Sequence, residues 1–314
     1  MLDKEQELKS VFRDPRIPET DFSGKVMEKL HTGQRPKRFS LKYKAGLLIM
    51  ASMLLTVSTA FGAVKYFSLK NRQGEVLYEV KPLKEAPNKK VTEEERKRAI
   101  RSRELGDELL KAGMAALIYV VPNNPNHELD TRFKPINFNN LSALRAKMAK
   151  YPVKIPDSIL GKYQFKAASV YFDPVTEVNP PSPEEKAAIV KKLQQQAKLS
   201  GKDYAMMPIE LSDKLISISV VYKNGKDEVM TRIGNIGAGN QLTGYIDEKI
   251  HFDQEKLVIN GAETMYTTVS GNPSTIEWVV EAPENGLRYA YMIHSNKGNL
   301  TKEQLIEIAR SYLK

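Results

Sequence analysis

The sequence predicts an α+β fold class, with one transmembrane helix followed by an extracytoplasmic domain of a largely antiparallel sheet and packed helices. Three observations predict it. Residues 45–64, AGLLIMASMLLTVSTAFGAV, carry no charge over 20 positions. From Leu215 onward, short β-like runs alternate with Asn-Gly and Gly-Asn-Pro turns. Helical patterns precede these runs and close the chain, and strands grouped with a few packed helices define the α+β class.

Composition narrows the function. The chain has 314 residues, of which 41% are hydrophobic, enough for a packed core. It has no cysteine, which excludes disulfides, thiolate catalysis and cysteine-based zinc sites. The net charge of +10 is unevenly placed. Residues 1–44 carry 11 basic and 7 acidic side chains, residues 65–103 carry 12 and 6, and residues 104–314 balance at 25 each. A nucleic-acid binder carries its basic surface on the folded domain, so no direct nucleic-acid partner is expected. Charge flanking one apolar stretch instead fits a surface of anionic lipid or polymer.

The element order follows. Residues 1–44 read as a cytoplasmic tail, too short for its own core. Leu8, Val11 and Phe12 form one apolar stripe. Beyond Pro18, Phe22, Val26 and Leu30 form a second, with Met27 alongside. Phe22, Val26, Met27 and Leu30 are the expected partner-binding residues, since an uncovered stripe needs a partner, a lipid surface or self-association. As a helix, residues 45–64 would span ~30 Å, the thickness of a bilayer core. A buried core helix or a cleaved signal peptide (Ser58 and Ala60 suit cleavage) are the alternatives, but the 44-residue leader is long for a signal peptide. Arg35, Lys37, Arg38, Lys42 and Lys44 precede the segment, while Lys65, Lys70 and Arg72 follow it with Glu75 and Glu79. This basic flank, Lys65 included, is expected to sit at the membrane, and its bias places the N-terminus inside.

Residues 65–91, with Pro82 and Pro87, read as a basic stalk, and residues 92–314 as the extracytoplasmic domain. Thr92 followed by Glu95 is a capping box that starts a helix. Ala115 to Val121 reads as a buried strand ended by Pro122, Asn140 to Lys150 as a short helix, and Tyr163 to Phe172 as a strand. Pro180 to Ser200 opens with a proline-rich turn and continues as a helix. Leu215–Tyr222 and Glu228–Ile233 flank Asn224-Gly225, a hairpin signal. Tyr245–Phe252, Lys256–Ile259, Thr264–Val269, Thr275–Glu281 and Arg288–Ile293 follow as strands. Thr301 caps a closing helix with Leu305, Ile308, Ala309 and Leu313 on its apolar face.

Residues 151–165, YPVKIPDSILGKYQF, and 276–314, with Trp278, Tyr289, Tyr291 and the helix from Leu300-Thr301 through Ala309 and Ser311, carry a resemblance. Over roughly residues 145–313 the chain resembles a bacterial extracytoplasmic domain known as domain of unknown function 4367. The run DFSGKVMEKL, residues 21–30, is similar to the start of membrane-anchored anti-sigma regulators of Gram-positive bacteria. Their zinc-dependent forms pair a histidine with cysteines, whereas this chain offers His31 and no cysteine, so the resemblance implies a zinc-free regulator.

Motifs for chemistry are weak. His127-Glu128 lacks the second histidine of a zinc protease. His251 and His294 fall on expected strands and could approach each other. Gly234, Gly237 and Gly239 lack dinucleotide-loop spacing, Ser200-Gly201-Lys202 lacks the phosphate-loop pattern, and Ser270 lacks a nucleophile elbow. Trp278, Tyr289 and Tyr291 fit either a groove or a core. Glu93-Glu94-Glu95 and Glu184-Glu185 are first-turn acids favoured by the helix dipole. No catalytic, cofactor or metal residue is expected, and no enzyme. The leading reading is a single-pass cell-membrane regulator in the bacterial envelope, its tail holding a cytoplasmic partner such as a sigma factor. The alternative is a membrane-tethered module whose outer domain binds an envelope ligand: lipid, lipoprotein or wall polymer.

Overall fold

The computed structural model describes residues 68–87, 91–247, 249–269, 273–295 and 300–313. In chain order the elements are β1 (Ser68–Lys70), β2 (Val76–Pro82), α1 (Glu93–Leu109), β3 (Ala115–Val120), β4 (Asp130–Phe133), β5 (Ile136–Phe138), α2 (Leu141–Met148), β6 (Ser158–Ile159), β7 (Tyr163–Pro174), α3 (Val175–Val178), α4 (Pro183–Ser200), β8 (Tyr204–Ile209), β9 (Leu211–Asn224), β10 (Asp227–Ala238), β11 (Leu242–Ile246), β12 (Phe252–Ile259), β13 (Ala262–Val269), β14 (Thr275–Glu281), β15 (Leu287–Ser295) and α5 (Lys302–Tyr312). They fall into two compact units, one holding residues 91–136 and 171–215, the other 68–87, 137–170 and 216–313.

The first unit is a three-stranded antiparallel sheet, β4-β3-β8, between two helices. All six residues of β3 are buried, because both of its faces are covered. Ala116, Ile118 and Val120 pack with Met206 against Leu105, Leu109 and Leu110 at the end of α1. Ala115, Leu117 and Tyr119, pointing the other way by strand alternation, pack against Ile189, Leu193 and Ala197 of α4. Burying each of the larger side chains stabilises the unit by about 1.5–3 kcal/mol. Thr92 and Ser182 start the two long helices through reciprocal capping boxes with Glu95 and Glu185. Gly201, at φ 66°, ends α4 in the left-handed conformation that glycine adopts without steric cost.

The second unit carries a nine-stranded sheet, β12-β13-β14-β15-β10-β9-β7-β5, with β6 beside β7. β12 through β15, β10 and β9 pair antiparallel. One face lies against α5, whose Leu305, Ile308, Ala309 and Tyr312 are buried. Trp278 stacks on Tyr291 at 5.1 Å between centroids, and both rings meet Tyr312 at 6.0 and 5.8 Å. The Tyr312 hydroxyl donates to Thr231 Oγ1 at 3.1 Å, which places the polar end of the aromatic cluster. On the opposite face, part of the sheet is covered by a small sheet, β1-β2-β11. Leu77 and Leu242 pack there on Ile236, Val279 and Ala290.

Several expectations are corrected. The expected single-pass membrane fold is not found: among the described residues no helix is long and apolar enough to cross a membrane. Residues 45–64, on which it rested, lie outside the described residues. The lipid bilayer as partner, the cell-membrane location and the N-terminus-inside topology lose their support with it. The sheets are mixed, because β2 and β11 run parallel, with Leu242 opposite Tyr78 and Gly244 opposite Val80. The stretch 65–91, read from the sequence as a stalk, carries β1 and β2 as paired strands. The strand expected at Tyr245–Phe252 is instead split between the end of β11 and the start of β12.

Candidate ligand-binding face

The large sheet has two faces, and alternation along β14 assigns its side chains to them. Ile276 and Trp278 point toward α5, so Thr275, Glu277 and Val279 point away from it. The register extends this second face across its neighbours. Thr275 lies opposite His294, and His294 lies opposite Met230, which lies opposite Val221. In the next row Met265 lies opposite Glu277, Glu277 opposite Met292, Met292 opposite Arg232, and Arg232 opposite Ser219. Directly opposed residues have Cβ atoms about 5 Å apart. Val279 and Ala290 are covered by the small sheet, whereas Thr275, Glu277, Met292, His294, Met230 and Val221 are half-buried and Arg232 is exposed. The face is therefore open along these two rows from β14 to β9, whereas Met265 at the end of the second row is fully buried.

Tyr78 of β2 borders the opening. Its ring lies over Gly244 of β11, where a Cβ would come within 3.0 Å of the hydroxyl oxygen and 3.4 Å of Cε2. The missing side chain lets the ring pass and brings its hydroxyl to Glu277, whose carboxyl accepts from Tyr78 and Thr275. Burial pushes the Glu277 carboxyl up to about 7, and the two hydroxyl donors only partly offset it. Burial and the Glu277 charge push the Tyr78 phenol well above its ordinary value. Burial and the Arg232 charge hold the His294 imidazole below its ordinary value, so it is neutral at pH 7.

His294 Nδ1 is buried and has no hydrogen-bond partner. On the same face Gln254, opposite Thr267, donates to Thr267 Oγ1 at 3.3 Å, yet its buried Oε1 has no partner either. Buried polar atoms without partners are rare in folded proteins, and each calls for an account. Trp278 Nε1 and Tyr289 Oη also lack partners, but these two residues are 1% exposed and lie inside the core. Nearby, Arg288 is fully engaged: it donates to Glu281 and Glu75 at 2.7 Å and to the Asn240 carbonyl at 3.1 Å, tying the turn after β1 to the sheet.

The sequence-expected sites fare differently. Phe22, Val26, Met27 and Leu30, and the basic Arg35, Lys37, Arg38, Lys42, Lys44 and Lys65, all lie outside the described residues. His251 is exposed beside β12 and three strands from His294, about 14 Å at ordinary strand spacing, so the two histidines are not brought together. Trp278, Tyr289 and Tyr291 belong to the core rather than to a groove. His127, at φ 54°, meets the Tyr119 hydroxyl and the Gln194 amide nitrogen, each at 2.9 Å from Nδ1. Gly237 forms part of a bulge in β10 opposite β15. Among the described residues no group of three or more histidine, aspartate or glutamate side chains is placed to hold a metal ion.

Comparison with protein-family models, with curated proteins and with solved structures finds no match. The resemblance of residues 145–313 to domain of unknown function 4367, and of residues 21–30 to anti-sigma regulators, is corrected by that result. The envelope-regulator reading, with its sigma-factor partner, and the membrane-tethered alternative both lose their basis.

Proposed function

We propose that the protein is a non-enzymatic binding module whose ligand lies on the open sheet face around Glu277, Met292, His294 and Met230. The unpartnered His294 Nδ1 supports this reading most directly. It is a binding group left unused beside two half-buried thioethers. Methionine suits such a surface because its unbranched, polarisable chain adapts to the shape that covers it. Glu277 is held by two hydroxyls and sits diagonal to His294 rather than in contact as an acid–base pair, which favours binding over turnover.

The test is a fragment screen on the full chain labelled at the methionine methyl groups, read by NMR. Hits should shift the Met230 and Met292 methyl signals and leave those of the buried Met206 and Met207 in place. A screen whose hits move only Met206 and Met207, or in which no hit moves Met230 or Met292, contradicts the reading.

A further inference from the structure

We propose that His294, Met230 and Met292 form a binding site for a soft monovalent metal ion of the copper(I) or silver(I) kind. The inference rests on the binding-face reading and names the ligand class. His294 and Met230 are directly opposed across β15 and β10. Met292 lies two residues before His294, on the same face and about 7 Å along the strand. One imidazole and two thioethers thus project from neighbouring positions, and each thioether chain is long and flexible enough to bring its sulfur toward the imidazole. Thioether and imidazole together select soft ions over the hard cations that seek carboxylates.

Two further features support the site. The imidazole has an unpartnered nitrogen, so a metal would displace no hydrogen bond there. All three residues are half-buried, open enough for an ion to enter and covered enough to shed its water. Arg232, opposite Met292, opposes a cation, but it is exposed and can extend its charge into solvent while its stem stays on the sheet. Glu277, on the other side of Met292, places a carboxyl rather than a second cation beside the site.

The chain itself makes the test clean. It has no cysteine, so no thiolate competes for a soft ion. It has 11 methionines, so binding must be assigned to particular ones. Silver(I), which undergoes no redox change under these conditions, is titrated into the full chain by calorimetry and by methionine-methyl and histidine-ring NMR. One equivalent should bind, with the Met230, Met292 and His294 signals moving together. Met230→Leu with Met292→Leu, a volume-conserving pair, should weaken binding by more than an order of magnitude without changing the metal-free unfolding temperature, and His294→Gln should weaken it likewise. His251→Gln, three strands away, should leave it unchanged. Silver that binds the double leucine variant as tightly as the parent, or that fails to bind the parent, overturns the proposal. If fragments bind the face and silver does not, the metal assignment alone fails; if neither binds, the binding-face reading fails with it.

Discussion

Tyr78 reaches Glu277 because Gly244 leaves room for its ring. The hydroxyl that meets the carboxyl would lie 3.0 Å from a Cβ at Gly244, and Tyr78 and Gly244 sit on parallel strands of the small sheet. This arrangement places a carboxyl with an unusually high pKa at the border of the open face.

The pH dependence of stability follows from Glu277. Its folded pKa is raised from 4.5 to about 7, so the fold favours the protonated carboxyl. The associated stability is fully present below pH 4.5, declines as pH rises from there to about 7, and is constant above. Urea unfolding between pH 5 and 8 should show this decline, of about 2 kcal/mol once solvent screening is discounted. Glu277→Gln should flatten the slope and be the more stable protein at pH 8.

Gly244→Ala should destabilise the second unit by about 1–3 kcal/mol, since the added methyl presses on the Tyr78 ring. The cost should shrink in a Tyr78→Phe background, where the closest atom, the hydroxyl oxygen, is gone. A double-mutant cycle by thermal unfolding measures the coupling. Equal costs in both backgrounds would mean that the ring moves aside freely.

Trp278→Ala should cost about 3–5 kcal/mol, because the ring is 1% exposed and packs on Tyr291 and Tyr312. Trp278→Phe should recover part of that loss, since its indole nitrogen makes no hydrogen bond to forfeit. Unfolding followed by circular dichroism checks both. A cost below about 1 kcal/mol for the alanine variant would place the ring outside the core.

Arg288→Lys should destabilise the protein despite keeping the charge. The guanidinium engages Glu281, Glu75 and the Asn240 carbonyl through three different nitrogens, and an ammonium cannot match that fork. A loss of about 1–3 kcal/mol is expected, limited because both carboxylates are substantially exposed and recover water. Chemical denaturation measures it.

Local signals in the sequence were readable where the chemistry is local. Thr92 with Glu95 forms a capping box and starts α1, and Thr301 starts α5. Asn224-Gly225 turns β9 into β10, with Asn224 opposite Asp227, and Asn260-Gly261 turns β12 into β13 with both residues at positive φ. The run at Ala115 announced a strand buried on both sides. β4 and β5 were missed because they are short and only half-buried, and β8 because Met206-Met207-Pro208 has no alternation to mark it.

The candidate face was not readable, and the reason is strand order. Met230 and His294 meet because β10 inserts between β15 and β9, and Tyr78 meets Glu277 because β2 pairs with β11. Alternation along β14 could separate Thr275 and Glu277 from Ile276 and Trp278, but no local pattern names the strand that lies next door.

The measurement that tests the binding face most directly is fragment affinity in Val221→Arg. Val221 lies opposite Met230 on the half-buried open face, so an arginine there should cover the two rows without entering the core. The variant should unfold at the parent temperature and lose the fragment-induced shifts at Met230 and Met292. Unchanged shifts and affinity in a folded Val221→Arg protein would contradict a ligand on this face.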